Sequence, residues 1–121
     1  MKKHILPVIL IFVLFLLGCG EPKIPDNIHP TSYGIGQTAL EKYEEYQKGI
    51  LSKDDLYDEL SNLHDKLSEL TFDNTFNDIA NTIISADVLN IAVMAHAGTA
   101  NDTEKCADSL RYYLEHGSVK K

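Results

Sequence analysis

The sequence predicts an all-α protein, a small up-down bundle of three or four helices that follows a flexible tether. Leucines recur at spacings of four and three residues between Leu56 and Leu70, as on one face of a helix. Capping residues and glycines also divide the chain at helix-length intervals, and no segment alternates apolar and polar residues as a strand would. The bundle is expected over residues 32–117, with a frayed tail at 118–121.

The first helix is expected to begin near Tyr33 or Thr38 and to end at Lys48. A glutamate stands three residues after Thr38, which is the spacing of a capping box. Ser32 is the alternative N-cap. Gly49 follows as a residue that commonly ends a helix.

The second helix has the clearest pattern. Ser52 is a good N-cap, and two aspartates in the first turn suit the positive end of the helix dipole. Five leucines form one apolar stripe along this helix: Leu56, Leu60, Leu63, Leu67 and Leu70. The stripe covers only two heptads, which favours packing inside the chain over an intermolecular coiled coil.

Two more helices complete the predicted bundle. The third starts near Asp73 or Asn74, ends before Gly98 and carries apolar residues on more than one face, so it is expected to be the most buried. Its side with Asp87 and Asn90 is expected to meet water. The fourth is expected to begin after the N-cap Asn101 and to end at Gly117. Its core-facing stripe consists of Cys106, Leu110, Tyr113 and Leu114.

The N-terminus has the organisation of an export signal. Lys2 and Lys3 precede the apolar run Ile5–Leu17. Its thirteen residues would span about 20 Å as a helix, which is short of the ~30 Å hydrocarbon core. The run therefore predicts a signal peptide and not a stable membrane-spanning helix.

The run ends in Leu16-Leu17-Gly18-Cys19, which resembles the lipobox of bacterial lipoproteins. The resemblance implies that a diacylglyceryl group alkylates the thiol of Cys19 and that a signal peptidase recognises Leu16, Leu17 and Gly18. Residues 1–18 would then be removed, and residues 19–31 would form the lipidated N-terminus and a Pro-rich tether. Two acyl chains give stable attachment to a bilayer. The expected location is the extracytoplasmic face of the cell membrane, or an outer membrane if the cell has one.

The charge excludes some partners. The formal net charge is −7, and loss of Lys2 and Lys3 with the signal peptide would leave −9. Nucleic acid and anionic lipid headgroups both require basic surface. We therefore expect no nucleic-acid partner and no electrostatic attachment to lipid beyond the anchor.

No motif indicates catalysis or metal binding. His29 lies on the predicted tether, and none of His64, His96 and His116 has a second ligand one turn earlier on its own helix. A zinc site needs three or four converging ligands. We expect no enzyme activity, no metal and no cofactor apart from the lipid. Cys106 has no intramolecular partner if Cys19 is lipidated. It is expected to be an inert core thiol, and a reactive or dimer-forming thiol is the alternative.

Tyrosines are the candidate binding residues, because tyrosine is enriched in protein interfaces. Tyr112 and Tyr113 are adjacent, so both cannot face the core. The candidate surface is Tyr33, Tyr43, Tyr46, Tyr57 and Tyr112.

The expected function is that of a non-enzymatic, membrane-anchored accessory or binding module for an envelope protein. One alternative is a structural or assembly subunit that self-associates through the Leu56–Leu70 stripe. Another, by analogy of size and location alone, is an immunity or superinfection-exclusion lipoprotein.

Overall fold

The computed structural model describes residues 23–120, and within this range the chain forms four α-helices and no strand. The all-α prediction is therefore confirmed. The predicted signal peptide and lipobox, including Cys19, lie outside the described residues, as does Lys121. The helices are α1 (Pro30–Gln47), α2 (Lys53–Glu69), α3 (Thr75–Ala97) and α4 (Ala100–His116).

Hydrogen bonds at the two ends of the bundle define its up-down topology. Asn27 Nδ2, just before α1, donates to the carbonyl of Gly117, just after α4, at 2.9 Å. At the opposite end His96 Nε2, in the last turn of α3, lies 3.0 Å from Asp54 Oδ1 in the first turn of α2. Successive helices therefore run antiparallel, as short connections between packed helices require.

Helix α3 is the centre of the bundle. It packs against all three other helices, whereas α2 and α4 do not contact each other. Among the described helices it alone is long and apolar enough to cross a membrane, but 44% of its most apolar window is buried inside the protein. Not all of its apolar side chains are covered, because Phe76 is 68% exposed and Ile79 is 52% exposed.

The predicted leucine stripe of α2 lies in the core. Leu56, Leu60 and Leu67 are completely buried, and the other two leucines are partly buried against the same cluster. Each fully buried leucine contributes roughly 1.5–3 kcal/mol. Because the stripe is covered from within the chain, it is not free to form an intermolecular seam while the bundle is intact.

Helix α1 begins earlier than predicted. Its N-cap is His29, whose Nδ1 accepts a hydrogen bond from the amide of Thr31 at 3.1 Å, and Pro30 occupies the first helical position. Proline suits that position because its missing N–H would have no partner in the helix anyway. The predicted starts at Tyr33 and Thr38 are therefore wrong.

The other helix ends were mostly predictable. Ser52 and Asn74 cap α2 and α3 as expected. Helix α4 instead begins after Thr99, whose hydroxyl accepts from the amide of Asp102 at 3.1 Å, so the predicted N-cap at Asn101 is wrong. Gly117 ends α4 with φ of 70°, and an added Cβ would overlap Asn27 Oδ1, so glycine is required there.

Part of the predicted tether packs against the bundle. Ile24 is partly buried against the core, and Ile28 is only 2% exposed. A turn closed by the amide of Ile28 and the carbonyl of Pro25, at 3.0 Å, brings Ile28 under the end of the bundle. Packing therefore starts at Ile24, well before the expected domain boundary at residue 32.

A buried polar chain joins three helices. Ser32 Oγ on α1 donates to Asn81 Oδ1 on α3 at 2.7 Å, and Asn81 Nδ2 donates to the carbonyl of Leu67 on α2 at 2.8 Å. Ser32 is fully buried and Asn81 is 7% exposed. Because buried polar groups are costly when unpaired, these hydrogen bonds fix the positions in which α1 and α2 pack on α3.

We predict that Asn81→Ala lowers the free energy of unfolding by about 2–3 kcal/mol, because it leaves the Ser32 hydroxyl and the Leu67 carbonyl without partners. Urea unfolding of the chain from residue 20 onward, followed by circular dichroism, measures the change. The exposed neighbour Thr82→Ala is the control and should change stability by less than about 1 kcal/mol. Equal effects of the two substitutions would contradict a structural role for the buried hydrogen bonds of Asn81.

Candidate interaction groove between α1 and α4

Helices α1 and α4 leave a groove with two adjacent clefts, which we call the α1–α4 groove. One cleft of about 580 Å³ is walled by Tyr33 of α1 and Arg111 of α4. The other, of about 650 Å³, lies towards the start of α4 and is walled by Tyr43, Tyr46 and the segment from Gly98 to Glu104. Both clefts are open to solvent, which suits a protein segment better than an enclosed small ligand.

A polar network crosses the groove between its two clefts. The hydroxyl of Tyr43 donates to Glu104 Oε2 at 2.5 Å, and Gln47 Nε2 lies 3.1 Å from both of these oxygens. Arg111 Nη1 donates to Glu104 Oε1 at 3.0 Å and to Asp108 Oδ1 at 2.7 Å. The Arg111 guanidinium also lies 5.9 Å from the centre of the Tyr43 ring, within cation–π range.

The network is fixed in one protonation state at neutral pH. Burial, together with the hydrogen bond to Glu104, raises the pKa of Tyr43 far above its ordinary range. The hydrogen bond from Tyr43, with help from Arg111, lowers the pKa of Glu104. A phenol that stays protonated beside a carboxylate that stays ionised is suited to holding α1 on α4 and poorly suited to proton transfer.

The structure brings three of the five candidate tyrosines into this groove. Tyr33 and Tyr46 are half-buried on its wall, while Tyr43 is buried beneath it. Tyr57 instead lies on α2 with its ring 5.4 Å from that of His96. Tyr112 stacks on the ring of His116 at 4.0 Å. The predicted single tyrosine surface is thus divided among three places.

Three groove residues were not predicted from the sequence, namely Gln47, Glu104 and Arg111. A signal for the last two was present, because Arg111 is the chain's one arginine and follows Glu104 by seven residues. Seven residues is two helical turns, which places both side chains on the same face. Their pairing with Tyr43 depends on which helix lies beside α4, and no local pattern contains that information.

No protein-family model matches the chain, and neither a curated protein nor a solved structure matches it.

The groove's own residues give it an acidic rim. Glu41 and Glu44 of α1 and Glu115 of α4 are exposed around the first cleft. Lys23 and Arg111 are the cations there, and Arg111 is already paired with two carboxylates.

The histidines and the thiol do not converge on a metal site within residues 23–120, where no group of three or more His, Cys, Asp or Glu side chains is arranged to hold an ion. His64 Nδ1 lies 2.8 Å from the hydroxyl of Ser85, a contact between α2 and α3. Cys106 is partly buried, and burial, with nearby Asp87 and Asp102, raises the pKa of its thiol. A thiol that stays protonated is a poor nucleophile, which supports the interpretation of Cys106 as inert.

The side of α3 that was expected to meet water does so only in part, because Asn90 is exposed whereas Asp87 is half-buried. The carboxyl of Asp87 is close enough to α4 to raise the pKa values of Cys106 and Tyr113. Burial raises the pKa of Asp87 itself to about 6. The folded protein therefore holds this proton more tightly than the unfolded chain, in which the pKa is 3.8. Asp87 consequently destabilises the fold progressively as the pH rises from about 4 to 6.

We predict that Asp87→Asn stabilises the bundle at pH 7 by about 1–2 kcal/mol, after allowance for the partial exposure of the carboxyl. The gain should vanish at about pH 3 and below, where the wild-type carboxyl is protonated in both the folded and the unfolded states. Thermal unfolding at a series of pH values between about 3 and 7 measures it, with the exposed Asp58→Asn as control. A gain that is the same at every pH would refute the titration of Asp87 as its cause.

Proposed function

We propose that the chain is a lipid-anchored extracytoplasmic lipoprotein that binds an envelope protein along the α1–α4 groove. The observation that carries the binding role is the pair of adjacent open clefts with Tyr33 and Tyr46 on their wall. Tyrosine presents a large contact area with few rotatable bonds, so ordering it in a complex costs little entropy. The lipobox-like segment ending at Cys19 supports the anchor.

The acidic rim supports a partner with a basic segment. Glu41, Glu44 and Glu115 surround the first cleft, and the chain as a whole is acidic. Complementary charge speeds association and disfavours wrong partners. We therefore propose that the partner presents Lys or Arg residues beside an apolar or aromatic side chain that enters a cleft.

The same residues support a non-enzymatic role. Tyr43 and Glu104 hold each other in fixed protonation states, and Nη1 of Arg111 is paired with two carboxylates. None of the three is poised to exchange a proton near neutral pH. Self-association through the α2 leucines is less well supported, because Leu56, Leu60 and Leu67 are already buried within the bundle.

We predict that chemical cross-linking in intact cells, followed by mass spectrometry, captures a partner with the full chain but not with Cys19→Ser. The Ser variant should also lose labelling by palmitate and leave the membrane fraction, since serine cannot form the thioether. Reversing the rim charge with Glu41→Lys and Glu44→Lys should reduce capture at least about tenfold. The matched control, Asp65→Lys with Glu69→Lys on the exposed face of α2, should leave capture unchanged.

Each arm of this experiment tests a different part of the proposal. Palmitate labelling of the Cys19→Ser variant would exclude Cys19 as the anchor. Capture that is insensitive to charge at Glu41 and Glu44 would remove the groove from the binding role. Cross-links only between copies of the chain would favour an assembly subunit.

A further inference from the structure

One end of the bundle contains the first described residues, and we call it the anchor end. It is formed by the start of α1, the loop between α2 and α3, the start of α3 and the end of α4. Asn27 connects these parts, because its amide donates to Gly117 O at 2.9 Å and its carbonyl accepts from Asn77 Nδ2 at 2.9 Å. The rings of His29 and Phe72 lie 4.7 Å apart at the same end.

The chain between Cys19 and the packed residues is short. Ile24 is already packed against the core, so only residues 20–23 separate it from Cys19. Even fully extended, five residue steps reach at most about 18 Å. A lipid on Cys19 would therefore keep the anchor end close to the membrane surface.

This end also exposes large apolar side chains. Phe76 is 68% exposed and Ile79 is 52% exposed, and both lie in the first turns of α3 next to Asn77. Val119, three residues beyond the end of α4, is 64% exposed. Exposed apolar groups that cluster on one surface usually mark a contact with protein or membrane.

We infer that the anchor end docks against the bilayer, with Phe76 and Ile79 in the interfacial region between headgroups and acyl chains. This inference rests on the proposed anchor at Cys19. Apolar side chains at this depth, about 5–10 Å into the boundary, contribute to peripheral binding. In this orientation the helix axes point away from the membrane surface, so the α1–α4 groove lies along the side of the bundle and faces the solvent.

The contact is apolar in character and not electrostatic. Among the described residues, the anchor end carries four carboxylates, those of Asp26, Asp73, Asp78 and Glu115, against the two ammonium groups of Lys23 and Lys120. This excess of negative charge would be repelled by anionic headgroups. The lipid surface that fits is therefore zwitterionic. The covalent anchor supplies the attachment, and the apolar side chains set the orientation.

The test places an environment-sensitive fluorophore at single positions of the full lipidated chain in phosphatidylcholine vesicles. The background is Cys106→Ala, so that the introduced thiol is the one that reacts. Phe76→Cys and Val119→Cys report on the anchor end. Ile50→Cys is the matched control, because Ile50 is 67% exposed and lies at the opposite end.

Flotation first measures attachment to the vesicles, and lipids with a doxyl quencher in the acyl chains then measure contact. The proposal predicts emission quenched at least about twofold at position 76, with a similar effect at 119 and none at 50. Vesicles that contain anionic lipid should not increase the quenching.

Three results would overturn the docking. Flotation without quenching at 76 and 119 would mean that the anchor holds while the bundle stands clear of the bilayer. A blue-shifted signal at 76 that the doxyl lipid does not quench would mean burial against protein, such as a second copy of the chain. Absence of flotation would overturn the lipid anchor together with the docking.

Discussion

The whole fold depends on covering α3. This helix is apolar on most of its circumference, and its buried side chains Ile84, Val88 and Ile91 are completely removed from solvent. Helix α2 covers one side with its leucines and α4 covers another. Helix α1 covers the third, where Gly36 allows close approach, because an added Cβ would lie 3.3 Å from a methyl carbon of Ile84 on α3 and 3.1 Å from one of Leu114 on α4. Helix α1 also contacts α4 near Gly36 and, further along its length, through the hydrogen bond between Tyr43 and Glu104. The two clefts of the groove open beside these contacts.

The fold class was predictable because its signals are local. Leucine spacing and the caps Ser52 and Asn74 depend on a few neighbouring residues, and the structure uses both caps as expected. The predicted start of α1 was wrong because the residue that caps this helix has only a weak capping preference. His29 is not among the preferred N-caps, yet it serves because Pro30 follows it. Packing from Ile24 onward could not be predicted, because a proline-rich segment has the composition of a tether. Only the tertiary structure shows that its isoleucines pack in the core.

The candidate site was only partly predictable, since it requires knowledge of which helices are neighbours. Tyr33, Tyr43 and Tyr46 share α1, so the sequence placed them near one another. Glu104 and Arg111 become part of the same site only because α4 lies beside α1. For the same reason the half-buried position of Asp87, next to α4, could not be read from the polarity of its own helix. Tertiary contact, not periodicity, assigns these residues.

The most direct test of the account is photo-cross-linking in intact cells from a benzoylphenylalanine placed at single tyrosine positions of the full chain. Tyr33 and Tyr46 report on the groove, while Tyr57 lies outside both cleft linings and reports on the surface that α2 shares with His96 of α3. If the groove binds the partner, positions 33 and 46 capture the same envelope protein and position 57 does not. Capture from position 57 alone, or equal capture from all three, would contradict a binding role for the α1–α4 groove.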